Sequence, residues 1–120
     1  MTKCILCCCA ILLIIGCNGA TKYPLTVEFR VDGDSGTMFY GYCGDTLGNG
    51  EHLWDVIVPQ SYLLELENDT DMVMIRVNLA ENYDNCLLTV DLYVDEEFIE
   101  ADTITRSYEE IMMFYPPYPY

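Results

Sequence analysis

The chain is short of positive charge. Five Lys and Arg stand against 20 Asp and Glu in 120 residues, a formal net charge of −15. Phosphate recognition needs clustered Lys and Arg, so this balance excludes a nucleic-acid binder working through its own charge. It argues equally against docking on an anionic lipid face. Histidine and tryptophan occur once each, as His52 and Trp54. One His and two cysteines downstream of residue 17 are too few for a zinc set. No nucleophile motif, metal-ligand set or phosphate-cradling loop is present, so the sequence names no reaction, and no cofactor is expected. The apolar run over residues 4–15 spans about 18 Å as a helix, against roughly 30 Å of hydrocarbon, too short to cross a bilayer.

Apolar and aromatic side chains are plentiful. The chain is 52% hydrophobic, with ten Tyr and four Phe. That is enough to close one core and excludes a disordered chain. The length is that of one domain.

The first residues differ from the rest. Lys3 is a positive start, and residues 4–15 have the size of a signal-peptide apolar region. Ile14-Ile15-Gly16-Cys17 resembles a bacterial lipobox, in which the Cys sulfur takes a diacylglycerol and the leader is cut just before it. The expected layout is a leader over residues 1–16 and a tether over 17–24. A domain over 25–115 and a Pro/Tyr tail over 116–120 follow. Cys17 is then the lipidation site, joining the chain to a membrane through acyl chains that each contribute about 0.8 kcal/mol per buried methylene. Ordinary secretion is the plainer alternative, but cleavage after Ala20 would put Asn18 where a small residue is wanted.

Seven cysteines suggest a disulfide scaffold. Cys4, Cys7, Cys8 and Cys9 leave with the leader, however, and Cys17 is acylated. Cys43 and Cys86 remain, either as one disulfide in an oxidising envelope or as two buried thiols.

From residue 25 onward the pattern has period two. Val27, Phe29 and Val31 alternate with charged neighbours, Val73, Ile75, Val77 and Leu79 alternate with Met74, Arg76 and Asn78, and Leu88, Val90, Leu92 and Val94 form the next strand. Further strands are expected over 37–43, through Trp54, Val56 and Val58, over 98–104 and over 108–114. Residues 61–68 do not choose cleanly between helix and strand. Turn chemistry falls at 32–36, 44–50, 68–71, 81–85 and 95–97. Short strands with turns at such intervals predict an all-β fold, an antiparallel immunoglobulin-like sandwich of about seven strands. Cys43, Trp54 and Cys86 also occur in the order of the immunoglobulin Cys, Trp and Cys.

Three segments carry a family resemblance. Thr26-Val-Glu-Phe-Arg-Val-Asp-Gly33 is followed by Thr37-Met-Phe-Tyr40. Val56-Ile-Val-Pro-Gln-Ser61 comes next, and then Leu88-Thr-Val-Asp-Leu-Tyr-Val-Asp-Glu-Glu-Phe-Ile-Glu100. In this order and spacing they resemble the MmpS-type transport accessory proteins and related envelope lipoproteins. Gln60 stands where that family has Trp, and Glu96 where its hairpin has Gly. The resemblance implies a non-enzymatic, immunoglobulin-like sandwich, some of whose members assist large exporters.

Asp32, Asp34, Asp45, Asp69 and Asp71 could suggest calcium, but turn Asp residues more simply bond their own backbone, and no metal site is expected. Asp95-Glu-Glu97 and Glu109-Glu110 read as solvated charges, and His52 as a surface residue. The candidate binding patch is Phe39, Tyr40 and Tyr42, with one face of their strand in the core and the other offering rings to a protein partner. The expected function is a lipid-anchored accessory or binding module of a bacterial envelope, at the outer membrane or cell surface, with an exporter as one candidate for the assembly it serves. The alternative is a surface module that binds a host protein or polysaccharide. Acylation makes the first test direct: labelled palmitate enters the full-length protein in a bacterial host, and Cys17→Ala abolishes the label, whereas persistent label refutes the assignment.

Overall fold

The structure, a computed structural model, describes residues 23–117. The leader, Cys17 and the tether up to residue 22 lie outside the described residues, as do the last three residues of the tail.

Alternating side chains produce eight strands. They are β1 Leu25–Gly33, β2 Met38–Asp45, β3 Gly50–Ile57, β4 Gln60–Leu66, β5 Val73–Leu79, β6 Leu88–Val94, β7 Glu97–Ile104 and β8 Ile111–Tyr115. A single 3-10 turn, Glu81–Tyr83, interrupts them. The ambiguous segment over 61–68 is therefore strand β4, making eight strands against about seven expected. The last strand starts at Ile111 rather than at Tyr108, because Glu109 Oε1 accepts the backbone N–H groups of Thr105 and Arg106 and folds the preceding residues into a turn.

Two four-stranded antiparallel sheets result. The first has the order β4-β1-β6-β7 and the second β3-β2-β5-β8. The chain changes sheet five times, in the β4–β5 link and in four short arches, β1 to β2, β3 to β4, β5 to β6 and β7 to β8. By strand direction all four arches lie at one end of the sandwich. The hairpins β2–β3 and β6–β7 and the β4–β5 link lie at the other end. The chain also enters β1 and leaves β8 there.

One stripe from each strand fills the space between the sheets. Val27, Phe29 and Val31 from β1, Phe39 from β2, Ile75, Val77 and Leu79 from β5, and Leu88, Val90 and Leu92 from β6 are all essentially removed from solvent. Each such side chain contributes roughly 1.5–3 kcal/mol of transfer free energy. The all-β antiparallel sandwich follows directly from the period-two pattern.

The arch end is held by backbone groups reaching from one arch to the next. Val58 N–H donates to Thr37 O at 3.0 Å, Asp34 N–H to Leu87 O at 3.1 Å, and Asn85 N–H to Thr105 O at 2.7 Å. Turn carboxylates add to this. Asp34 Oδ2 accepts Leu87 N–H at 2.8 Å, and Asp84 Oδ1 accepts Ser107 N–H. The Ser107 N–H bond holds the Asp84 carboxyl below the usual carboxylate range. At the other end Asp95 and Glu96 both have positive φ, 47° and 70°, and close the two-residue β6–β7 hairpin. Asp95 Oδ1 accepts Thr26 N–H at 2.9 Å, docking that hairpin on β1.

Of the two alternatives for Cys43 and Cys86, the structure has free thiols rather than a disulfide. Cys43 lies opposite Ile75, near the start of β5, whereas Cys86 follows the far end of β5 on the way to the first sheet. The run from Ile75 to Leu79 alone covers about 13 Å, beyond the roughly 7 Å that a disulfide tolerates between Cα atoms. Burial pushes the Cys43 thiol up to about 12, so it is not a thiolate at neutral pH.

Gly41 marks the tightest approach between strands. A Cβ there would sit 1.8 Å from the Arg76 carbonyl oxygen, in the middle of the β2–β5 pairing. Backbone cannot give way as a side-chain tip can. Gly41→Ala is therefore expected to cost about 3 kcal/mol or more, read as a lower urea midpoint with an unchanged slope. A midpoint equal to the parent's would show that this contact has slack.

Candidate functional site

The outer face of the second sheet is built by residues far apart in sequence that the register brings into rows. Met38 pairs with Ile57 on one side of β2. Tyr40 pairs with Asn78, and Tyr42 stands between His52 and Arg76. Arg76 pairs onward with Met112, and Met74 with Phe114. Tyr, Trp, Phe, Met and Arg thus share one face of four strands.

Trp54 joins this face because of a bulge. The β2–β3 register shifts between Phe39 and Gly41, so Trp54 and Asp55 together oppose Tyr40. Asp55 takes the left-handed conformation, φ 51°, and adds the extra residue. Leu53 on one side of the bulge and Val56 on the other both face the core, and Trp54 turns outward, 72% exposed. The alternation Trp54, Val56, Val58 expected from the sequence is corrected here, since the extra residue reverses the side on which the pattern continues. Trp54 is accordingly not the buried core Trp of an immunoglobulin domain.

The three residues expected to form the patch divide. Phe39 is in the core, fully buried. Tyr40 is on the outer face and 40% exposed. Tyr42 is on the same face but only 8% exposed, because Gly44 and Gly50 pair directly beside it. A Cβ on either glycine would come within 2.7 Å of the Tyr42 hydroxyl, so the ring covers a strip of bare backbone. Its hydroxyl donates to Asp45 O at 2.9 Å, and burial raises its pKa. The Asp45 carboxylate accepts Asn49 N–H at 2.8 Å and Leu47 N–H at 2.9 Å, which shapes the β2–β3 loop and lowers the Asp45 pKa.

The exposed rings form a continuous surface. His52 and Trp54 stack at 6.2 Å between centroids, and Tyr42 meets His52 at 5.5 Å. Arg76 lies at the centre with its Nε 3.5 Å from Glu110 Oε2. Asn78 Nδ2 donates to Glu109 O at 3.0 Å. Met112 and Ile57 extend the apolar area, both about half exposed. Sequence reasoning found Tyr40 and missed Trp54, His52, Arg76, Met38, Met74 and Met112. Period two gave Met38 and Arg76 the right side of their strands, but no local signal showed that those strands lie side by side.

The outer face of the first sheet has a different character. Arg30 is ion-paired with Glu28 at 3.0 Å and lies 3.8 Å above the Tyr93 ring, while Ser61 donates to the same Glu28 carboxylate. These contacts, the Arg30 bond first, lower the Glu28 pKa. Tyr93 also meets Phe98 edge-on at 5.7 Å. Rings and charges on this face are already engaged with one another. The turn Asp residues considered for calcium are likewise bonded to backbone at Asp32, Asp34 and Asp45. Among the described residues no three His, Cys, Asp or Glu side chains converge as metal ligands, and no helix is long and apolar enough to cross a membrane.

A ring that serves the fold and one that only faces solvent respond differently to truncation. Tyr42→Ala is expected to lose about 2–3 kcal/mol of stability, and Trp54→Ala to stay within about 0.5 kcal/mol of the parent, both by urea denaturation. Equal losses would make Trp54 a packing residue. No protein-family model matches the chain, and no curated protein matches it in sequence.

Proposed function

We propose that this chain is a lipid-anchored, non-catalytic binding module of a bacterial envelope, held at a membrane through Cys17. In this reading it docks a partner protein on the outer face of the second sheet. It belongs with the MmpS-type accessory proteins and related lipoproteins that its strand segments resemble, serving an envelope assembly such as an exporter.

One observation carries the reading: Trp54, Tyr40, Met38, Met112 and Arg76 share a single solvent-facing surface. Tyr, Trp, Phe, Met and Arg are the residues enriched at protein–protein contacts, and Trp, Tyr and Arg supply most of their energetic anchors. The Met and Ile side chains among the rings favour a protein over a polysaccharide, because flexible thioethers fill irregular apolar gaps rather than stack on sugar rings.

Photocrosslinking in intact envelopes tests it. A photoreactive residue replacing Trp54 in the acylated full-length protein is expected to give a discrete protein adduct. The same residue replacing Leu63, which is 70% exposed on the outer face of the first sheet, is expected to give none. Adducts from Leu63 alone, or none from either position, would refute the reading.

A further inference from the structure

The charge around the aromatic face narrows what can dock there, given that the face is the docking surface. Among residues 23–117 twenty carboxylates oppose three arginines. Carboxylates border the aromatic surface at the β3 bulge and at the arch end. Asp55 lies on β3 with Trp54, opposite Tyr40, whereas Glu51 pairs with the buried Cys43 and so belongs to the other side of the sheet. Glu81 lines the same hollow as Tyr40, together with Leu79 and Ser107. Glu109 and Glu110 precede β8, tied to Asn78 and Arg76. Within this border the surface is rings, thioethers and one guanidinium.

We infer that the partner is a protein whose apolar contact patch is rimmed by Lys and Arg, and that Asp55 and Glu81 steer it onto the aromatic face. A second copy of this chain is the wrong occupant, because it would set one ring of carboxylates against another. An acidic partner fails for the same reason. A basic rim meets the carboxylates at the margin, where charge governs encounter and register, and leaves Trp54 and Tyr40 to bury in the centre.

Rim and centre are separable by experiment. The Trp54 photocrosslink in intact envelopes is the readout, measured in the acylated full-length protein. Asp55→Asn with Glu81→Lys is expected to lower the adduct yield about tenfold, and the milder Asp55→Asn with Glu81→Gln severalfold, Asn being chosen because it tolerates the left-handed backbone at residue 55. Glu65→Lys, an equal change of sign on the outer face of the first sheet, is expected to leave the yield unchanged. It removes both the side-chain hydrogen bond and the repulsion by which Glu65 raises the Glu67 pKa, on the face away from the rings. Raising salt from about 50 to about 300 mM is expected to reduce the parent's yield about fivefold through screening. A yield that ignores the Asp55 and Glu81 changes, that falls equally with Glu65→Lys, or that rises with salt overturns the basic-rimmed partner while the docking face stands. Loss of every Trp54 adduct in the parent protein overturns the docking face itself. A dimer of this chain as the adduct overturns the assignment of the occupant.

Discussion

The apolar stripes of two sheets must close on each other, and the remaining features follow from that constraint. Closure leaves each strand one outward row of side chains, and the twenty carboxylates lie along the outer faces, edges and turns. Such charge keeps strand edges from pairing with strangers. On β7 the acids Glu97, Glu100 and Asp102, together with a register shift in its pairing to β6, mark a defended edge. An outward surface relieved of that charge is therefore conspicuous, and the second sheet has one.

Several acidic residues that look functional in the sequence serve the backbone. Asp34 and Asp84 join neighbouring arches, Asp45 shapes the β2–β3 loop, and Asp95 ties a hairpin to β1. A short carboxylate that accepts backbone N–H bonds replaces the water those groups would otherwise need, and its pKa falls where the charged form is the one bonded. For Asp84 and Asp45, whose pKa values are depressed, the resulting stability is present above the unfolded carboxylate range. It is lost as pH falls through the folded value. The Glu65–Glu67 pair acts in the opposite direction: a side-chain hydrogen bond to Glu65, and then the repulsion between the two carboxylates, raises the Glu67 pKa.

The aromatic face depends on two backbone devices. The left-handed Asp55 inserts one residue into β3 and turns Trp54 outward. The bare Gly44–Gly50 pair admits the Tyr42 ring against the sheet, which supports the neighbouring His52 and, through it, Trp54. Both devices lie in β2 and β3, whose pairing the loop bonds of Asp45 maintain. Rigid support beneath exposed rings lowers the conformational entropy that a partner must freeze on binding.

The sequence by itself determined the class of fold and the positions of most strands and turns, because side-chain alternation and turn chemistry are local properties of a few neighbouring residues. It named Phe39, Tyr40 and Tyr42 as a patch without deciding which of the strand's two faces meets solvent, and it read the turn aspartates as backbone acceptors. Only the tertiary structure decided that Trp54 faces out, that Phe39 faces in, and that Cys43 and Cys86 lie too far apart to bond. The same holds for the assembly of Met38, Arg76 and Met112 beside Tyr40. These facts depend on register and on which strands are neighbours. A single extra residue in a pairing reverses a face, and strand order is set by the packing of two sheets rather than by any segment alone.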